Sequence, residues 1–176
     1  MDLLQVAAPV ARAGSLVQMR GGLAVPINAV LLPEAATPFT QLKTLADKGE
    51  FLPPVTASRN VSYGQLAKAV ESKGGLRWPI EGGDIFSRQS PKMVVYVLWE
   101  GREKVKGILT LRICDLDNRM LNNPSGGKPV KLKLNPGDRY ATSWDVDVSA
   151  LAPGMYRVDV WLDQAPAWRT FFRVTD

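Results

Sequence analysis

The chain contains no histidine, and that absence narrows its chemistry before any fold is considered. Ser–His–Asp and Cys–His relays need an imidazole, and the commonest metal ligand is missing with it. Glu81 and Asp84, flanking Gly82-Gly83 after Trp78, are the one pair of acids that invites glycosidic chemistry. Such a reaction asks for two carboxyls facing one cleft, whereas a glycine-rich acidic stretch is more commonly a plain loop. Cys114, the single cysteine, stands beside Asp115. A reactive thiolate needs a neighbouring cation or a helix N-terminus, and an adjacent carboxylate works against it. The stretch DLDNRMLNN gathers Asp115, Asp117, Asn118, Asn122 and Asn123 and opens like a calcium loop. Met120 occupies the place of the required glycine, however, and the closing bidentate acid is absent. Asp and Asn also populate turns because their side chains bond to nearby backbone. GGLAVP and EGGD lack the spacing and the lysine of a phosphate cradle. The expectation is therefore a chain without catalytic residues, metal or cofactor, with a hydrolase built on Glu81 and Asp84 as a distant alternative.

The bulk composition points the same way. Of the 176 residues, 45% are hydrophobic and 22% charged, which excludes compositional disorder and supports a sizeable core. Fifteen glycines and thirteen prolines favour turns and short strands over long helices. The net charge of +5 is spread out, with nine basic and seven acidic residues up to 90 and thirteen against ten beyond it. A nucleic-acid binder concentrates its basic residues, and only Lys128, Lys131 and Lys133 do so here. Alternating lysines on a strand more often solvate a face or protect an edge, so no nucleic-acid partner is expected. One cysteine rules out an internal disulfide and fits the cytoplasm as well as the periplasm. No run of 18 apolar residues spans a membrane, and the opening MDLLQVAAPVARAG lacks the basic start and apolar stretch of a leader.

From the N-terminal end, residues 15–32 read as two short strands around Gly21-Gly22. Residues 37–49 carry helix marks: Thr37 as cap, Pro38 in the first turn, a stripe of Phe39, Leu42, Leu45 and Ala46, and Gly49 as the stop. Residues 62–73 predict a second helix, with Ser62 and Gln65 as a capping box and Val61 and Leu66 as a hydrophobic staple. Residues 76–91 read as an irregular connection or crossing arm. Together residues 1–90 predict a small α+β N-terminal portion packed on the C-terminal half.

Residues 91–176 alternate with period two. The run KMVVYVLW is nearly continuously apolar. Leu109, Leu111 and Ile113 share a face, as do Val130, Leu132 and Leu134, then Trp144, Val146 and Val148, then Tyr156, Val158, Val160 and Leu162. Such alternation between polar or Gly/Pro turns predicts a mainly β fold, an antiparallel sandwich. At its end, LAPGMYRVDVWLD followed by WRTFFRV resembles the closing hairpin of immunoglobulin-like or fibronectin type III-like β-sandwich modules of bacterial multidomain and envelope proteins. The resemblance covers residues 92–176 and lacks the paired cysteines of true immunoglobulin domains. It implies that Tyr156 bonds back to the turn at Pro153-Gly154. It also implies adhesion, spacing or docking in the periplasm or at the cell surface, with the cytoplasm as the other compartment the composition fits.

Trp161 breaks the pattern, because it falls on the polar face with Arg157 and Asp159. On the last strand Trp168, Thr170, Phe172 and Val174 face inward, leaving Phe171 outward with Arg169 and Arg173. Two outward aromatics among arginines have the composition of a protein interface. Trp161, Phe171, Arg157, Arg169 and Arg173 are therefore the expected partner-binding residues, exposed to a protein partner or a second copy. Two other readings compete: cover by the N-terminal portion, which must bury its own apolar stripe, and a carbohydrate platform using Trp161, Trp78 or both.

Overall fold

The computed structural model describes residues 17–20, 23–26, 54–116, 119–121 and 128–176. The helix expected over residues 37–49 lies outside them. The two strands expected around Gly21-Gly22 are present as β1 (Val17–Arg20) and β2 (Leu23–Pro26), an antiparallel pair.

The rest is mainly β, two sheets packed face to face. The first sheet comprises β4 (Val61–Lys73), β5 (Leu76–Gly82), β7 (Lys92–Glu100) and β10 (Arg139–Asp147), in the order β10-β7-β4-β5. The second comprises β3 (Val55–Thr56), β8 (Val105–Asp115), β9 (Val130–Leu134), β11 (Gly154–Leu162) and β12 (Ala165–Thr175), in the order β3-β12-β11-β8-β9. β6 (Ile85–Ser87) joins the free edge of β12 in parallel, beside β3; the other pairings are antiparallel.

The alternating residues of the C-terminal half meet between the sheets as predicted. Leu109, Leu111, Ile113, Leu132, Leu134, Trp144, Val146, Val158, Val160 and Phe172 belong to one buried cluster. β7 supplies Met93, Val95, Val97 and Trp99 to that cluster and is buried on its other face too, which explains its unbroken apolar sequence. The Tyr156 hydroxyl donates to the carbonyl of Ala152 at 2.7 Å, the backward bond the hairpin resemblance implied. Lys131 and Lys133 point to solvent on β9, an edge strand, where they hinder pairing with other chains.

Residues 62–73 correct the helix expectation, for they are part of β4. Positions 61–67 pair with β7 and 67–73 with β5. The capping-box pattern is local, and the apolar spacing from Leu66 to Val70 suits a helix turn and a strand face alike. The ladder to β7 decides between them, since tertiary pairing overrides weak propensity. Gly64 shows why a glycine is needed there: a Cβ would lie 2.2 Å from Cε2 of buried Trp168. Residues 76–91 correct the second expectation, because they hold β5 and β6 rather than an irregular arm. Strands on the N-terminal side of residue 90 thus complete both sheets.

Candidate functional site

The site is built by the register of three strands. β11 lies between β8 and β12, and opposite residues form rows across the sheet. Cys114, Arg157 and Phe171 make one row, Arg112, Asp159 and Arg169 the next, and Thr110 and Trp161 a third. None of these side chains belongs to the cluster between the sheets. They stand on the opposite, outer face, as alternation requires. A register shift after Val160 pairs Trp161 with Pro166 and leaves Ala167 without an opposite residue. This bulge lets both Ala167 and Trp168 enter the core.

Trp161, Phe171, Arg157, Arg169 and Arg173 stand on this outer face, and of the readings the sequence left open, exposed or covered, the burial matches a covered face. Trp161 is 8% exposed, Phe171 2%, Arg157 1% and Arg169 0%, while Arg173 is half-buried. Alternation tells which way a side chain points and nothing about what lies over it, so it left exposure and cover as alternatives.

At the centre is Asp159, which sequence reasoning treated only as a polar neighbour. Its Oδ2 accepts from Arg157 Nε at 3.0 Å and from Arg169 Nη2 at 2.7 Å. Arg169 Nε donates to the other carboxylate oxygen, completing a two-pronged contact. Burial pulls the Arg169 guanidinium down from its ordinary range, and the Asp159 carboxylate opposes that shift. The hairpin register could have exposed this group in advance, because Asp159 and Arg169 stand directly opposite. At the strip's end the Arg112 guanidinium lies 4.3 Å from the centre of the Trp161 ring, a cation–π contact. The indole Nε1 of Trp161 and the neighbouring Thr110 hydroxyl are buried without hydrogen-bond partners. Cys114 closes the strip as a buried thiol whose pKa is pushed up by burial, although Arg157 pulls it the other way. That is the state of an unreactive thiol.

The remaining candidates are not assembled into chemistry. Glu81 spends its exposed carboxylate on Lys68 at 3.1 Å, and Asp84, also exposed, presents its carbonyl to the Arg173 amide at 2.7 Å. In DLDNRMLNN, residues 117, 118, 122 and 123 lie outside the described residues. Asp115 accepts from the Arg119 amide at 2.9 Å, the turn role expected of it. Among the described residues no group of three His, Cys, Asp or Glu side chains is placed to hold a metal ion. No helix among them is long and apolar enough to cross a membrane. Trp78 is half-buried on β5 in the first sheet, so it shares no platform with Trp161.

No protein-family model matches the chain, and no curated protein sequence does. Among solved structures, a β-glucosidase from Listeria innocua in complex with glucose is similar over 65% of this chain and 16% of its own, at 12% identity and a TM-score of 0.41. A crystal structure of the C-terminal domain of wzt aligns over 70% of this chain and 78% of its own, at 11% identity and a TM-score of 0.41. A β-glucosidase from Kluyveromyces marxianus aligns over 68% and 15%, at 15% identity and 0.39. The chain thus spans about a sixth of the glucosidases' length, and likenesses this distant carry no argument about activity.

Proposed function

We propose that the protein is a non-catalytic interaction or structural module, an immunoglobulin-like sandwich serving a bacterial envelope or surface assembly. The observation that carries this reading is the finish of the outer face of β8, β11 and β12. A solvated sheet face would be polar and open, and a second core face would be hydrocarbon. Here Arg157 and Arg169 close on one aspartate, Phe171 and Trp161 stand in the rows on either side, all four are largely withdrawn from water, and half-buried Arg173 lies further along the same face. Tryptophan and arginine in a desolvated patch are the residues that dominate binding energy at protein contacts. In this reading the five residues form the contact through which the sandwich is joined to another polypeptide segment. The Tyr156 bond to Ala152 supports the immunoglobulin-like assignment, and the resemblance of the closing hairpin supports the envelope setting.

The test compares the intact chain with Trp161→Ala and Phe171→Ala in pull-downs and in light scattering, with circular dichroism to check folding. Loss of a specific partner or of self-association in folded variants is the expected result. Folded variants that retain every association would overturn the assignment of this face.

A second reading, a carbohydrate-binding module, rests on Trp78 rather than Trp161. Trp78 is half-exposed, and Tyr63, 43% exposed, bonds through its hydroxyl to Gln65 and lies with its ring centre 6.3 Å from that of Tyr96. A saturable glycan-dependent change in tryptophan fluorescence, abolished by Trp78→Ala, would favour this reading over the first.

A further inference from the structure

The outer face of the first sheet lies under an arch made by one of its own hairpins. Tyr96 of β7 stands opposite Gln65 of β4, and Arg77 of β5 stands opposite Ser72 of β4. In a flat sheet the seven residues from Gln65 to Ser72 would span about 23 Å, far beyond the reach of a tyrosine side chain. Yet the Tyr96 hydroxyl donates to the Arg77 carbonyl at 2.7 Å. The β4–β5 hairpin therefore bends back over the sheet, and β5 comes close to β7 and β10 without pairing with either. The register gives the residues on the concave side. Ala67 lies between Val94 and Gly82, Ala69 opposite Ile80, and Glu71 opposite Trp78. Two alanines and a glycine on the inside of a bend leave room for it. At its foot a Cβ on Gly82 would collide with the Gln65 amide, and the Gln65 Oε1 accepts from the Tyr63 hydroxyl.

We propose that the cleft between this arch and the sheet binds a neutral oligosaccharide. The proposal rests on the carbohydrate reading through Trp78 and names its site and its class of sugar. Two open aromatic rings adjoin one point. Tyr63, 43% exposed, has its ring centre 6.3 Å from that of buried Tyr96, and half-buried Trp78 follows the residue whose carbonyl Tyr96 holds. A sugar ring offers its C–H face to such rings, whose faces are electron-rich. Its edge hydroxyls need fixed planar donors and acceptors, which the Gln65 amide and the Glu71 carboxylate supply. An aromatic lining with a few positioned polar groups is the make-up of a small-molecule site. Charge selects a neutral sugar. Exposed Glu71 and Asp145 stand on this face against Arg139, and Glu100 is engaged by Arg102 at 3.0 Å. That balance offers no excess of cations to hold an acidic sugar or a phosphate.

The test applies the full-length chain to an array of neutral and acidic glycans and titrates the tightest binder by calorimetry. Saturable binding of a neutral glycan is expected. Tyr63→Ala and Gln65→Leu should each weaken it at least about tenfold, with the circular dichroism retained. Ile108→Asp, on an exposed side chain of β8 in the other sheet, should bind as the unaltered chain does. Binding of acidic glycans alone, lost in Arg139→Met, would overturn the neutral class. Binding lost in Trp78→Ala but unaffected by Tyr63→Ala and Gln65→Leu would overturn the cleft while leaving the carbohydrate reading in place. Failure to bind any glycan would remove that reading and the proposal with it.

Discussion

Asp159 is the residue whose replacement should be most costly for its size. The substitution Asp159→Asn keeps the shape and removes the charge. In the native protein this carboxylate meets Arg157 at 3.0 Å and Arg169 through two contacts, with side-chain exposures of 3%, 1% and 0% in turn. An exposed ion pair of this kind would contribute about 0–1 kcal/mol. Removing one partner of a buried one costs about 3–5 kcal/mol, because the desolvation of the other charges is no longer offset. The Asn amide would also turn a donor toward a guanidinium that can only donate. With a urea dependence of about 2 kcal/mol/M, a 4 kcal/mol loss moves the unfolding midpoint about 2 M lower. Tryptophan fluorescence across a urea series reads this directly. The triple variant Arg157→Met, Asp159→Leu, Arg169→Met should recover most of the loss, since a well-packed apolar set can replace a buried ionic one. A midpoint shift in Asp159→Asn equivalent to less than about 1 kcal/mol would refute the argument, showing that water reaches the strip and screens the charges.

The same geometry fixes three further outcomes. Tyr156→Phe deletes the bond to Ala152 and should cost about 1 kcal/mol in urea unfolding; an unchanged midpoint would show that this bond contributes nothing to stability. Gly64→Ala places a Cβ 2.2 Å from the Trp168 indole, and overpacking of this kind should cost about 1–3 kcal/mol, visible as a lower melting temperature and an altered near-ultraviolet spectrum. Stability should also fall as pH climbs above about 8.5, the ordinary thiol value. Burial raises the Cys114 pKa, so the native state keeps a proton that the unfolded chain has lost, and stability declines with pH across that window. Tyr96 and Tyr156, raised mainly by burial, extend the decline above about pH 10. Urea midpoints measured from pH 7 to 10 should show the slope, and Cys114→Ala should flatten its lower part.

What the sequence determined by itself was everything that depends on the direction of a side chain from an extended backbone. Period-two alternation identified the strands from Lys92 to Thr175 and put Leu109, Leu132, Val146, Val158 and Phe172 in one core. It placed Trp161 on the face away from that core, and the resemblance of the closing hairpin to immunoglobulin-like modules implied a backward bond from Tyr156, which reaches Ala152. The helix expected over residues 62–73 failed because Ser62, Gln65 and Leu66 satisfy a helix start as well as a strand. Only pairing with Val94–Trp99 of β7, distant in sequence, selects the strand. The outer strip was left open between exposed and covered for a related reason. Facing away from one core is a local property, fixed by backbone geometry, whereas being covered depends on where the rest of the chain lies. Asp159 therefore reads as an ordinary surface aspartate in sequence, and only the tertiary structure, by closing Arg157 and Arg169 onto it out of water, makes it the centre of the face.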